Sequence, residues 1–109
     1  MLKKPKIRDE KHRRFIASLP CVLCSGMNVQ AAHIRIGNNA GMALKSGDDC
    51  CLPLCITHHK QQHECGEVSF WYPHGGHEKA NVLAKALYAC TGDEIEAQEK
   101  IKEWKWKKQ

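Results

Sequence analysis

No run of apolar residues in this chain approaches the roughly 20 that a membrane-spanning helix requires. The amino terminus also lacks the apolar stretch of a secretory signal, because its first residues are rich in lysine. Internal repeats and low-complexity segments are missing as well. These absences predict a cytoplasmic protein with no membrane partner, kept in a reducing environment.

The composition is that of an ordinary small globular domain. Of the 109 residues, 42% are hydrophobic and 27% are charged, a balance that argues against a disordered chain. This length suits one domain, and its apolar core is modest enough that a bound metal ion would add useful stability. The net charge of +5 mildly favours an acidic partner such as nucleic acid, although many soluble proteins carry this charge without one.

The cysteines are spaced as metal ligands. Cys21 and Cys24 are separated by two residues, and Cys55 and His58 repeat this spacing about thirty residues later. Together they supply four soft or borderline ligands, the number that a tetrahedral structural zinc requires. The spacing therefore predicts a zinc ion that contributes folding stability rather than chemistry.

Other interpretations of the cysteines stay open. The first pair could instead be small buried apolar residues, and Cys50 or Cys51 could replace His58 as the fourth ligand. Cys65 and Cys90 have no partner at ligand spacing and are expected to be buried thiols. The total of seven cysteines is odd, which fits metal thiolates and free thiols better than a set of disulfides.

Hydrophobic periodicity and turn residues predict an α+β fold. We expect His12 on the solvated side of the first helix, and residues 70–72 as an aromatic packing ridge. The predicted elements are helices over 9–19, 55–65 and 77–90, strands over 30–36 and 50–54, a loop over 37–49, a helix C-cap at Gly66, and a last helix opened by a capping box of Thr91 and Glu94.

Three further histidines stand close to the predicted zinc ligands. His59 and His63 are four residues apart, so on a helix they lie on one face and can share a metal. That face differs from the one bearing His58, because adjacent helical residues are rotated by about 100°. His33 lies between apolar residues of a predicted strand, where a histidine is more often a packing residue than a catalyst.

The combination resembles the HNH (ββα-metal) endonuclease family, in particular its phage and prophage type, such as a phage recombination-enhancement nuclease. The resemblance runs from Pro20 to about Gly66 and rests on the order of a CxxC knuckle, an Ala-His strand and a Leu-Cys-x-x-His-His helix. The Gly-, Lys- and Asp-containing loop over 41–48 is also similar to loops of that family.

The resemblance implies a fold and a mechanism. One domain over 1–109 would contain a basic N-terminal helix (1–19), a zinc-bound ββα core (20–66) and C-terminal helices (67–109). His33 would be the general base that activates water, while His59 and His63 would hold one Mg²⁺, Mn²⁺ or Zn²⁺ against the scissile phosphate. The expected function is that of a DNA endonuclease or nickase, possible partners being recombination proteins or a second copy of the chain.

Two positions depart from the family pattern. Family members place Asp or His immediately before the base, where this chain has Ala32, and the Asn of the family name falls near Asp49 or Cys50. Asp48 or Asp49 could therefore complete the catalytic metal site. Alternatively, His33 is itself a ligand, or the fold is an inactive one.

The expected partner is DNA, recognised with low sequence specificity. Arg35, Lys45 and Lys60 lie nearest the proposed centre and are the candidates for phosphate contacts. The competing interpretation is a zinc-binding DNA- or protein-interaction module without catalysis. A pure binding module has no need of three histidines beyond its zinc ligands, so these residues discriminate between the two.

Overall fold

A computed structural model describes residues 8–35 and 47–107. It confirms the predicted α+β class, with a two-stranded sheet and several helices. Most of the predicted 37–49 loop, including Lys45, lies outside the described residues. The elements in chain order are α1 (Glu10–Ala17), β1 (Val29–His33), β2 (Cys51–Cys55), α2 (Ile56–Cys65), α3 (Glu67–Trp71), a 3₁₀ turn (Tyr72–His74), α4 (His77–Ala89) and α5 (Glu94–Lys107).

The two strands form an antiparallel hairpin that leads directly into α2. In its register Val29 pairs with Cys55 at one end and His33 pairs with Cys51 at the other. Side chains directly opposite each other in such a ladder lie on the same face. Since α2 begins at Ile56, directly after β2, the hairpin fixes the position at which α2 and its histidines begin.

The core lies between the hairpin and the surrounding helices. Trp71 of α3 is fully buried and packs edge-to-face against Trp104 of α5, with ring centroids 6.3 Å apart. Phe70 is also buried, whereas Tyr72 is 81% exposed, so only two residues of the predicted aromatic ridge pack into the core. Among the described residues, none of the helices has the length and apolar character needed to cross a bilayer.

One helix end follows the sequence prediction and another does not. Gly66 ends α2 with a positive φ of 84°, and its N–H donates to the carbonyl of Gln62. The prediction of a capping box by Thr91 and Glu94 is wrong. The Asp93 side chain caps α5 instead, accepting from the Glu96 N–H at 3.1 Å. The hydroxyl of Thr91 instead donates to a carbonyl of the preceding helix.

The prediction that His12 is solvated is also wrong. Its side chain is fully buried, and its Nδ1 lies 2.7 Å from the hydroxyl oxygen of Thr91. Because that hydroxyl donates its single proton to the carbonyl of Tyr88, it must accept from Nδ1–H of His12. The Tyr88 ring packs edge-on at 4.8 Å, and in the described part of the chain the His12 Nε2 is buried with no hydrogen-bond partner.

Burial of His12 predicts a loss of stability in mild acid. Burial lowers the pKa of His12 from its ordinary 6.5, although the carboxylates of Asp9, Asp48 and Asp49 oppose the shift. Below pH 6.5 the unfolded chain therefore binds this proton more readily than the folded chain, so the free energy of unfolding falls with falling pH. His12→Asn keeps a donor near Thr91 but cannot titrate. In urea unfolding series between pH 7.5 and 5, we expect the variant to lose less stability than the wild type; equal slopes would contradict the assignment.

Candidate metal centre and histidine cluster

The four ligands predicted from the cysteine spacing come together. The ligand atoms of Cys21, Cys24, Cys55 and His58 all lie within 4.8 Å of one another. Sγ of Cys24 and Sγ of Cys55 are 3.8 Å apart, and Nδ1 of His58 lies 3.5 Å from Sγ of Cys21. In a tetrahedral zinc site two sulfurs are about 3.8 Å apart, and a sulfur and a nitrogen about 3.6 Å apart. The cluster can therefore hold a structural metal such as zinc.

The knuckle that carries the first two ligands is a tight turn. The Cys21 N–H donates to the carbonyl of Gly26 at 3.0 Å, and the Ser25 N–H donates to the carbonyl of Cys21 at 2.8 Å. The Gly26 N–H points at Sγ of Cys24, 3.4 Å away. A Cβ on Gly26 would lie 3.1 Å from this sulfur, which is why the residue after Ser25 is small.

The second pair of ligands is positioned by the junction of β2 and α2. Cys55 is the last residue of β2 and the N-cap of α2, so His58, one turn later, lies on its side of the helix. Its Nδ1 is 3.1 Å from Sγ of Cys55. Neither Cys50 nor Cys51 belongs to this group, so His58 is the fourth ligand of the cluster.

The environment of Cys21 favours its thiolate. Burial opposes the charged form, but backbone N–H groups around the sulfur outweigh it and lower the pKa of Cys21 to about 7. Metal binding requires deprotonated sulfur, so the lowered pKa of Cys21 favours the binding of a cation.

His59 and His63 form a second pair on α2, as the four-residue spacing predicts. Their Nε2 atoms are 3.1 Å apart. Two ligands at adjacent positions around an octahedral ion with bonds of about 2.1 Å lie about 3.0 Å apart. In the described ranges, 8–35 and 47–107, no third His, Cys, Asp or Glu ligand atom joins this pair. A cation held there would take its other ligands from water or substrate.

Gln30 of β1 orients His59. Its Oε1 lies 2.7 Å from Nδ1 of His59, and an amide oxygen can only accept, so Nδ1 carries the proton. Nε2 of His59 is therefore left with its lone pair directed at His63. Burial lowers the pKa of His59, and the charges of His63 and His33 lower it further, so His59 is held in the neutral form that binds metals.

His33 is held by a buried carboxylate. Its Nε2 lies 2.8 Å from Oδ1 of Asp48, whose other oxygen accepts from the Asp9 N–H at 2.7 Å and lies 3.3 Å from Nε of Arg13. Burial opposes the charged form of Asp48, but His33, the Asp9 amide and Arg13 together lower its pKa. Because an ionised carboxylate only accepts, Nε2 of His33 carries the proton, which leaves the lone pair of the neutral ring on Nδ1.

A cavity of about 360 Å³ opens beside His33. The start of α1 and the two residues before it form one of its walls, with Arg8 before the helix and Arg13 within it. Its lining residues are Arg8, Asp9, Glu10, Arg13, His33 and Asp48.

The other predicted site residues take different places. Asp48 forms a second group of potential ligands with His33 and Cys51, whereas Asp49 belongs neither to this group nor to the four-ligand cluster. Arg35 follows β1 and donates its backbone N–H to the Glu67 carboxylate at 2.9 Å, while Lys60 is exposed on α2. Cys65 is exposed rather than buried.

Sequence reasoning missed Gln30 and Arg13, and it considered Cys51 only as a possible ligand of the four-residue cluster. None belongs to a recognisable motif, and each reaches the site only through the pairing of distant segments. The sole available signal was the register of the hairpin, which pairs His33 with Cys51. Residues 34–50 separate the two strands, so that register is not fixed by a short turn.

The fold and the four-ligand cluster define a small α+β protein with a site that can hold a structural metal. The chain belongs to the family described as "Protein of unknown function (DUF968)", whose model matches residues 1–89. It is 39% identical over 66 residues to "Uncharacterized protein YdfU" of Escherichia coli (strain K12). This match covers 57% of the present chain but only 19% of that relative. No solved structure gives a significant match.

Proposed function

We propose that this chain is a metal-dependent DNA endonuclease or nickase of the HNH (ββα-metal) type. The observation that carries the proposal is the pairing of two preorganised groups. His59 and His63 present Nε2 atoms at the spacing of adjacent metal ligands, and the Asp48 carboxylate orients His33 at the wall of a cavity. Phosphodiester hydrolysis needs both a base and a cation.

His33 is the general base of the proposed reaction. With its Nε2–H donated to Asp48, the neutral ring accepts the proton of a water molecule at Nδ1. The Asp48 carboxylate then stabilises the imidazolium that forms, and Arg13 and the Asp9 amide keep that carboxylate ionised. Asp48 thus orients the base rather than completing the His59–His63 pair.

His59 and His63 are the ligands of the catalytic cation. A divalent ion bound there would neutralise the negative charge that develops on the phosphate and on the departing oxygen. Gln30 fixes the tautomer of His59 that leaves Nε2 free to coordinate. The four-ligand cluster on the other side of α2 has a separate role, which is to hold the hairpin and the helix together.

The substrate is a nucleic acid bound largely through its phosphates. Arg8 and Arg13 line the cavity beside His33, and Lys60 is exposed next to His59. Together with the net charge of +5, these groups favour DNA binding that depends on the backbone and has little sequence specificity.

The test of the proposed function is nicking of supercoiled plasmid with Mg²⁺, Mn²⁺ or Zn²⁺. We expect relaxed or linear products with at least one of these ions and none in EDTA. An absence of cleavage with all three would favour the non-catalytic zinc module.

Loss of the Gln30 side chain is expected to weaken the catalytic metal without unfolding the protein. Gln30→Leu removes the acceptor for Nδ1–H of His59, so the ring is no longer held in its ligating tautomer. We expect Mn²⁺ affinity to fall about 10- to 100-fold. Gln30→Glu retains an acceptor and should restore most of the affinity.

Isothermal titration with Mn²⁺ measures this effect, and Gln61→Leu is the matched control. Gln61 is an exposed glutamine of α2 that is absent from the His59–His63 contacts. Equal Mn²⁺ affinities in Gln30→Leu and Gln61→Leu would refute the positioning role of Gln30.

A further inference from the structure

We propose that His33, Asp48 and Cys51 form a second zinc site, and that zinc bound there switches off the base of the nuclease. The metal-binding part of this inference stands on the geometry of the three residues alone. The inhibitory part rests on the proposed function.

The hairpin register brings the three side chains together. His33 and Cys51 are directly paired, so their side chains lie on one face of the sheet, and Asp48 precedes β2 in the adjoining turn. A ring nitrogen of His33, a carboxylate oxygen of Asp48 and Sγ of Cys51 all lie within 4.8 Å of one another. Ligands around a tetrahedral zinc are about 3.3–3.8 Å apart, so adjustments of about 1 Å or less would bring the three ligand atoms to zinc spacing.

The donor set selects zinc over magnesium. One imidazole, one carboxylate and one thiolate form a three-ligand set of the kind that leaves a fourth position on zinc open. Magnesium prefers oxygen ligands in an octahedral arrangement and binds thiolates poorly. The His59–His63 pair lacks sulfur, so the two sites differ in the ions that they favour.

The surroundings of Asp48 are those of a metal-ligating carboxylate. Oδ1 faces His33, whereas Oδ2 is held by the Asp9 N–H and by Arg13. Such outer contacts orient a carboxylate that binds a metal through its other oxygen. The 360 Å³ cavity is lined by His33 and Asp48 and not by the buried Cys51, so an ion would enter on the side of the first two ligands.

Zinc binding here would remove the base by changing the tautomer of His33. Nε2 is the ring nitrogen that faces Asp48, so an ion shared with that carboxylate would take the Nε2 lone pair, and the neutral ring would carry its proton on Nδ1. Cys51 binds as the thiolate and releases its proton to solvent, while Asp48 is already ionised. One proton is released in total, and the Nδ1 lone pair that would accept a proton from water is lost.

Cobalt(II) titration of the full chain tests the site directly, since tetrahedral Co²⁺ bound to thiolate shows a sulfur-to-metal charge-transfer band. Protein already carrying one structural zinc should bind a further equivalent of Co²⁺ with such a band. We expect Cys51→Ser to lose this band and Cys50→Ser, its buried neighbour outside the group, to keep it. The absence of any thiolate band from the further equivalent in the wild type would overturn the proposal, whether or not Cys51→Ser folds.

An activity measurement tests the regulatory half. At free Zn²⁺ about ten times the Kd of this site, Mg²⁺- or Mn²⁺-supported nicking should fall about tenfold, because only the zinc-free fraction retains its base. Without added zinc, Cys51→Ser should nick at the wild-type rate, and it should resist inhibition by zinc. Equal inhibition of both proteins would overturn the regulatory proposal. A chain that never nicks but shows the Cys51-dependent band refutes the proposed function and the inhibition while supporting the metal site.

Discussion

Removal of the structural metal is expected to unfold most of this protein. The four-ligand cluster ties the knuckle before β1 to the start of α2, and without an ion it would leave three thiols and an imidazole crowded together. Structural zinc contributes about 10–16 kcal/mol of apparent binding free energy in small domains, which matches or exceeds the 5–15 kcal/mol typical of total stability. Far-UV circular dichroism during titration with a strong chelator should show loss of helix in step with loss of zinc.

A pair of exposed cysteines separates this effect from general sensitivity to mutation. Cys24 belongs to the cluster, whereas Cys65, also exposed, does not. We expect Cys24→Ser to lower the midpoint of thermal unfolding by more than about 10 °C, corresponding to a loss of several kcal/mol. Cys65→Ser should change the stability by less than about 0.5 kcal/mol. Equal melting of the two variants, or an intact fold in fully metal-free protein, would contradict the structural role.

If the chain is the proposed nuclease, substitution of His33 should abolish most of that activity while leaving the fold intact. Positioned acid–base groups contribute about 10²- to 10⁴-fold to rate, so His33→Ala should lower the nicking rate by that factor. The His33 side chain is 26% exposed, so its loss removes little core packing. His59→Ala should reduce nicking comparably at low metal concentration, because half of the protein ligands for the cation are lost.

His77→Ala provides the control for these histidine variants. His77 begins α4 and belongs to neither potential ligand group, so this substitution should leave the rate within about twofold of wild type. Nicking of purified plasmid, with circular dichroism as a check on folding, measures all three variants. Cleavage that persists in both His33→Ala and His59→Ala would rule out the proposed mechanism.

Local sequence patterns were sufficient to predict the metal cluster. The CxxC and CxxH spacings place their ligands by turn and helix geometry alone, so only the pairing of two short segments had to be assumed. Gly66 was predictable as a C-cap for the same reason, since the end of α2 depends on a single backbone position. The histidine pair on α2 followed directly from helical periodicity.

Contacts between distant segments were not predictable in this way. The buried His12 donates its Nδ1–H to Thr91, which lies 79 residues away in the sequence. Helical periodicity around His12 does not reveal such a partner. The link between Asp9 and Asp48 spans 39 residues. Gln30 acquires its role only when the hairpin and α2 pack together. The features that tune the site therefore arise from tertiary packing, whereas its ligands arise from local spacing.

The proposed function requires α2 to face two different ions, a structural zinc on one side and a catalytic cation on the other. Anomalous scattering maps from crystals grown with Mn²⁺, collected at the zinc and manganese absorption edges, test it most directly. The account predicts a zinc peak enclosed by Cys21, Cys24, Cys55 and His58, and a separate manganese peak bonded to Nε2 of His59 and His63. A zinc peak with no manganese at that histidine pair, or with His33 directed away from it, would contradict the enzyme assignment.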